Sequence, residues 1–166
     1  MLRWIKTMVV AGAVGLLAAC GGGGEERPDI TRLAQQDPQL SVLAEAVAAA
    51  DLATPLAGPG PYTVFAPTNA AFADLLQRLG MTKEALLADR ALLTRVLTYH
   101  VVAGRVLRKD IPVGQPITTL QGQTLTIDAN LNVSDQCGCT ARIVTTDVLA
   151  GNGVVHVIDH VLLPTL

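Results

Sequence analysis

The first half of the chain carries apolar residues at helical spacing. Leu40, Leu43 and Val47 recur three or four positions apart, which places them on one face of a helix predicted over residues 40–50. Similar spacing predicts helices between residues 69 and 79 and again before Tyr99. Residues suited to cap a helix precede two of these segments and a shorter one that opens at residue 30: Asp29, Thr68 or Asn69, and Asp89. A further helix is predicted to start at residues 82–85.

From Tyr99 onward the apolar period changes from helical spacing to alternation, which is typical of strands. Helices before strands, rather than helices alternating with strands, predict an α+β fold. We expect one domain, because 166 residues fall within the range of about 100–200 residues per domain. Its helices come mainly from the first half and pack on a sheet or wedge built mainly from the second. The strands are predicted at residues 62–66, 100–102, 124–127, 132–133, 141–144 and 154–163.

The N-terminus has the pattern of a secretion signal. Arg3 and Lys6 precede an apolar run over residues 8–19, which is shorter than the roughly 18 residues of a membrane-spanning helix. The sequence Leu-Ala-Ala-Cys-Gly around Cys20 resembles the lipobox of bacterial lipoproteins. It implies a signal peptide over residues 1–19, a lipidated Cys20 as the new N-terminus, and a Gly-rich tether over residues 20–28. The alternative is an ordinary signal peptide that leaves Cys20 as a free thiol.

A lipid on Cys20 would hold the protein in the bacterial cell envelope by that anchor alone, facing the periplasm or the cell surface. The residue after Cys20 is Gly and not Asp, which favours the outer membrane in a Gram-negative cell. Removing the signal peptide leaves 10 basic and 14 acidic side chains, and aromatic residues make up only 3% of the chain. Neither the charge nor the aromatic content suits nucleic-acid binding.

Three segments in order resemble the signatures of fasciclin (FAS1) domains. Residues 62–72 (YTVFAPTNAAF) resemble the first signature, residues 97–102 (LTYHVV) the central tyrosine–histidine motif, and residues 152–164 (NGVVHVIDHVLLP) the second signature. The resemblance implies a single FAS1 domain over residues 29–166. It also implies an extracellular adhesion or interaction module that binds a protein or matrix partner, or alternatively a carrier of a small apolar ligand. The motif positions, which we interpret as mainly structural, are Thr68, Asn69, Tyr99, His100, Asn152, Gly153, His156 and Asp159.

The residues themselves favour a structural interpretation of the signatures. Asn152-Gly153 is typical of a tight turn between strands. His156 and His160 lie about 13 Å apart on the predicted strand, too far to share one metal ion. No nucleophile motif, phosphate loop or dinucleotide fingerprint is present. We therefore expect a protein that is not an enzyme and that needs no metal or cofactor.

The sequence Cys137-Gly138-Cys139 departs from the family pattern, at a hairpin tip predicted over residues 135–140. Three interpretations remain open: a local disulfide, a redox-labile bridge, or a pair of thiolates that binds a soft metal. The last two would make the chain an envelope redox or metal protein, which is a second alternative to the adhesion module.

The pair Asp147-Val148 occupies the position of an Asp-Ile motif that contacts receptors in animal family members, with Val in place of Ile. Partner binding through Asp147 and Val148 is therefore one interpretation. The other is that Asp147 caps the turn through residues 148–150, because Asp readily accepts hydrogen bonds from nearby backbone N–H groups.

Overall fold

The structure, a computed structural model, describes residues 27–165. Predicted capping residues begin the helices as expected: Asp29 Oδ1 accepts from Arg32 N at 2.8 Å, and Asp89 Oδ1 from Leu92 N at 2.9 Å. None of the helices in this part of the chain has the length and hydropathy that crossing a membrane requires. The α-helices are α1 (Ile30–Gln36), α2 (Ser41–Ala49), α3 (Ala53–Leu56), α4 (Asn69–Leu79), α5 (Lys83–Ala88) and α6 (Arg90–Tyr99), and 3-10 turns lie at Pro38–Leu40 and Arg108–Asp110.

The strands form one seven-stranded sheet in the order β2-β1-β7-β6-β5-β4-β3. β1 and β7 are parallel neighbours, and the other neighbouring pairs are antiparallel. A bridge between Val102 and Thr119 joins the two ends of the sheet, which therefore approaches a barrel. The strands are β1 (Tyr62–Pro67), β2 (Val101–Ala103), β3 (Pro116–Thr118), β4 (Thr124–Ile127), β5 (Asn132–Ser134), β6 (Thr140–Ala150) and β7 (Gly153–Ile158).

Two apolar cores result from this arrangement, and β1 belongs to both. Its Val64 and Ala66 pack with the helices in a helical core, whereas Phe65 between them packs with the second-half strands in a barrel core. Successive side chains of a strand point to opposite faces, so one short strand can supply both cores. The fold is α+β, with helices from the first half and a sheet mainly from the second, as predicted.

Several predicted strand boundaries were wrong. β6 continues to Ala150 rather than ending at residue 144, because its second half pairs with β7 beyond the irregular stretch, and β3 has no counterpart among the predicted strands. His100 caps α6, because its N–H continues the helical hydrogen bonds to Val96 O and Leu97 O before the chain enters β2. β7 ends at Ile158, so His160 does not share a strand face with His156. The apolar residues beyond β7 are buried by packing rather than by strand pairing, since Val161 enters the helical core and Leu162 the barrel core.

The predicted Asn-Gly turn is shifted by one residue. β6 ends at Ala150 and β7 begins at Gly153, so Gly151 and Asn152 form the turn. Gly153 instead allows β7 to approach β1, because a Cβ atom at this position would overlap the carbonyl oxygen of Tyr62. Glycine is therefore needed here for close backbone approach and not for a left-handed turn.

Candidate functional site

His156 lies at the centre of β7 and is fully buried. Its ring stacks on Phe65 with centroids 5.7 Å apart. Nε2 lies 2.8 Å from the carbonyl oxygen of Val106, and Nδ1 accepts from the N–H of Asp147 at 3.3 Å. A carbonyl can only accept and a backbone N–H can only donate, so the ring is neutral with its proton on Nε2.

Asp147 lies in an irregular stretch of β6 where the register with β7 shifts. Its φ of 57° is in the left-handed region, which is uncommon for a residue other than glycine. Oδ1 accepts from Arg108 N at 2.7 Å, so the carboxylate caps the 3-10 turn that begins there. The expectation that Asp147 caps residues 148–150 was wrong, because those residues pair with β7 as part of β6.

Thr63 also holds the loop that runs from β2 to the 3-10 turn at Arg108–Asp110. Sequence reasoning did not identify Thr63. It is fully buried on β1. Its hydroxyl donates to Gly104 O at 2.7 Å and accepts from Val106 N at 2.8 Å. Together with His156 and Asp147, Thr63 fixes this loop across three neighbouring strands. A buried hydroxyl on an otherwise apolar strand is the sequence signal that could have indicated such a role.

His100 is buried between α6 and the segment after β7. Nδ1 lies 2.7 Å from Val96 O, and Nε2 accepts from Leu162 N at 3.0 Å. Desolvation lowers the pKa of His100 to about 4, against smaller raising effects of the Val96 carbonyl and the Asp135 charge. The imidazole is therefore neutral near pH 7, with its proton on Nδ1.

The other central-motif residue, Tyr99, is fully buried in the barrel core and donates from its hydroxyl to Thr124 O at 2.9 Å. Desolvation is the main cause that raises its pKa to about 12. The hydroxyl therefore stays protonated and links α6 to the start of β4.

The signature asparagines connect distant segments. Asn69 Oδ1 accepts from Val42 N at 3.0 Å, so Asn69 supports the start of α2, while Thr68 caps α4 by accepting from Ala71 N at 3.3 Å. Asn152 Oδ1 accepts from Ile30 N, 122 residues away, and Nδ2 donates to two carbonyls, Leu56 O at 2.6 Å and Gly58 O at 3.0 Å. Sequence reasoning identified both asparagines but not these partners.

Asp159 lies just beyond β7 and ties it to β6. Its Oδ1 accepts from Arg142 N at 2.7 Å and lies 2.8 Å from His160 Nδ1. Burial raises the pKa of Asp159, but the bonds from His160 and Arg142 outweigh it and leave the pKa below its usual value. His160 Nε2 also lies 3.9 Å from Asp74 Oδ2 on α4, with about two fifths of its side chain exposed.

The hairpin tip between β5 and β6 carries Cys137 and Cys139, as predicted. Cys137 is exposed and Cys139 is half-buried. Both thiols are free in this structure, so the local disulfide between them is not observed. Arg78 on α4 reaches the tip, with Nη1 3.8 Å from Cys139 Sγ. Asp135 is buried and accepts from Cys139 N at 2.8 Å and Leu163 N at 3.1 Å. Sequence reasoning missed both Arg78 and Asp135.

Within residues 27–165, no three His, Cys, Asp or Glu side chains are grouped so that they could hold a metal ion. An apolar cavity of about 30 Å³ lies beneath α1 and α2, next to Leu43, Leu56 and Val64. That volume holds about one water molecule, whereas pockets for small ligands measure at least about 300 Å³. This cavity is therefore too small to be a preformed pocket for the alternative ligand-carrier function.

The fold described above agrees with the result of comparing this chain with known proteins. The sequence model of the fasciclin domain matches residues 38–164. The chain belongs to the fasciclin domain family. The uncharacterized protein sll1735 of Synechocystis is 38% identical over 82% of this chain and 98% of its own length, and protein sll1483 of Synechocystis is 40% identical over 82% and 74%.

Among solved structures, a FAS1 domain pair from the insect cell adhesion molecule Fasciclin I matches with a TM-score of 0.71. The match covers 82% of this chain and 51% of that one, at 15% identity, and therefore shows the fold. Fasciclin domain proteins are often extracellular adhesion or interaction modules. They generally mediate interactions with proteins or matrix.

Proposed function

We propose that this fasciclin domain is an interaction and adhesion module of the bacterial cell envelope that binds a protein or matrix partner. The observation that carries the proposal is how its polar signature residues are used. Both ring nitrogens of His100 and of His156 bond to backbone groups, and Asn152 bonds to three backbone groups. These residues build the fold and leave the outer surface to supply the function.

The surface around the irregular stretch of β6 is the best candidate for partner contact. We define the bulge surface as Val144, Thr145, Asp147, Arg108 and Lys109, all of which are exposed. Val144 has 55% of its surface exposed, and the polar residues Thr145, Thr146 and Asp147 follow it along the chain. An apolar centre with a polar rim is the usual composition of a contact surface.

The irregular stretch also explains why Asp147 and not Val148 is available to a partner. Val148 packs against the helical core and pairs with Val155. Bulges often redirect a side chain out of the regular sheet pattern. Asp147 therefore has two roles in the proposal: it holds the turn at Arg108 and presents its carboxylate on the bulge surface.

Val144→Lys tests the proposal, with Val113→Lys as the matched control. Val113 is also exposed, by 52%, and lies outside the bulge surface. Each full-length variant is immobilised, and proteins retained from an envelope extract are compared with those retained by the unchanged protein. We expect Val144→Lys to lose a partner that Val113→Lys retains. Equal retention by both variants, with unchanged urea unfolding, would remove the bulge surface as the contact site.

The envelope location rests on Cys20, which lies outside the described residues. We propose that Cys20 carries the lipid anchor that follows the signal peptide at residues 1–19. Cys20→Ser should move the protein from washed membranes into the soluble fraction, while Cys137→Ser, which keeps Cys20, should remain in the membranes. Membrane retention of the Cys20→Ser protein would contradict the anchor without affecting the binding proposal.

A further inference from the structure

The two cysteines of the hairpin tip are not used by the interaction module, yet they lie in a defined setting. The tip, residues 135–140, joins β5 to β6 at the surface. Gly138 between the cysteines has a φ of 81°, in the left-handed region that favours glycine. This conformation reverses the chain between the two thiols.

The tip is held from both sides. Asp135 N donates to Cys139 O at 3.0 Å, and the Asp135 carboxylate accepts from Cys139 N at 2.8 Å. The same carboxylate accepts from Leu163 N at 3.1 Å, which ties the tip to the segment after β7. The backbone at Cys139 is therefore fixed, while Cys137, with no such bond among those described, is exposed.

Arg78 distinguishes the two thiols. It comes from α4, 61 residues earlier, and its guanidinium lies 3.8 Å from Cys139 Sγ. The guanidinium places a positive charge beside this sulfur, where it attracts the negative charge that the sulfur carries when it attacks or leaves. By contrast, desolvation and the charges of Asp135 and Cys139 raise the pKa of the Cys137 thiol. The setting gives Cys139 the role of first nucleophile and Cys137 the role of resolving thiol.

We propose that Cys137 and Cys139 form a thiol–disulfide exchange site that acts on the disulfides of other proteins in the same extracytoplasmic compartment. The Cys139 thiolate attacks one sulfur of the incoming disulfide, forms a mixed disulfide and releases the other sulfur as a thiolate. Cys137 then loses its proton to solvent and attacks Cys139 Sγ, which releases the second thiolate. The partner disulfide gains two electrons, and the Cys137–Cys139 pair loses two as it forms its own disulfide.

The exchange is reversible, because the Cys137–Cys139 disulfide closes a small ring over one intervening residue and lies at the surface. Strained or exposed disulfides are more easily reduced than buried structural ones. A metal ion bound by the two thiolates is the competing use of the same pair.

The first test equilibrates the full-length protein with mixtures of reduced and oxidised glutathione. The tryptic peptide covering residues 110–142 contains both tip cysteines and excludes Cys20, so its mass reports the tip alone. We expect dithiol and disulfide forms, differing by two hydrogens, to interconvert with the glutathione ratio. A peptide that forms only glutathione adducts, or a disulfide that glutathione never reduces, would overturn the proposal. So would zinc or copper co-purifying with the protein and lost in Cys137→Ser.

The second test measures the role of Arg78 as a positioning residue. In a Cys137→Ser background at neutral pH, Arg78→Ala should slow the alkylation of Cys139 by iodoacetamide about two- to fivefold, the range of an exposed charge pair. Arg78→Lys, which keeps the positive charge, should recover part of the rate. The control is Arg95→Ala, which should leave the rate unchanged because Arg95 lies on α6 rather than α4. An unchanged rate in Arg78→Ala would show that the guanidinium does not activate this sulfur.

Discussion

Two turns that join β6 to its neighbours differ in almost every respect. The turn to β7 places Asn152 where its side chain bonds to α1, to the end of α3 and to the segment that follows α3. The tip between β5 and β6 carries two free thiols, one exposed and one half-buried. The first turn carries a family signature, whereas the second carries a sequence that departs from the family pattern. Signature residues thus lie where many segments meet, and the distinctive chemistry lies where the fold tolerates change.

The first prediction concerns the contact between β7 and β1. Gly153→Ala should destabilise the fold by about 3 kcal/mol or more, because the added methyl overlaps the Tyr62 carbonyl and the backbone cannot yield easily. Gly122→Ala is the control, since it adds a methyl in open space at a φ of 105° and should cost only about 1 kcal/mol. Urea unfolding of both variants measures the difference. Equal costs would show that close approach does not matter at Gly153.

The second prediction concerns pH. His100 takes up a proton near 6.5 in the unfolded chain but only near 4 when it is buried. Between these values the unfolded state binds more protons, so stability falls as pH drops from 6.5 to 4, by about 3 kcal/mol in total.

Urea unfolding across that pH range measures the effect. His100→Gln should remove most of the slope, and His160→Gln, at a half-exposed position, should retain it. A slope that survives in His100→Gln would mean that another group carries the pH dependence.

The third prediction concerns Asn152→Ala, for which we expect a smaller loss in the free energy of unfolding. It leaves one backbone N–H and two carbonyls without their partner, which should cost about 2 kcal/mol because part of the site remains open to water. The matched change is Asn132→Ala, where Asn132 Nδ2 donates only to the exposed Asp128 carboxylate. That variant should lose about 0.5 kcal/mol. Similar urea midpoints for the two variants would remove the special role given to Asn152.

The smallest effect is expected at the hairpin tip. Cys137→Ser and Cys139→Ser should each change the free energy of unfolding by less than about 0.5 kcal/mol under reducing conditions, because neither side chain fills a core. Thermal unfolding in the presence of a reductant checks this. A loss comparable to that of Asn152→Ala would show that the tip is structural and would abolish the contrast between the two turns.

Local patterns in the sequence determined the fold class and most of its elements. Capping at Asp29, Thr68, Thr82 and Asp89 depends on groups within three residues, and the helices began where these residues predicted. The apolar run that starts at Val154 predicted a strand buried on both faces, and β7 is that strand. Its end was misjudged because residues after Ile158 are buried by packing in two cores, which periodicity alone cannot distinguish from strand pairing.

Only the tertiary structure decided which distant groups meet. The bond of Asn152 to Ile30 spans 122 residues, and the contact of Arg78 with Cys139 spans 61. Likewise, the partner of Asp147 is the backbone of Arg108, 39 residues away, and not the adjacent turn. Periodicity and capping reflect interactions within a few residues, whereas these contacts exist only because sheet order and helix packing bring the segments together. The sequence therefore identified many of the residues that matter, and the fold assigned their partners.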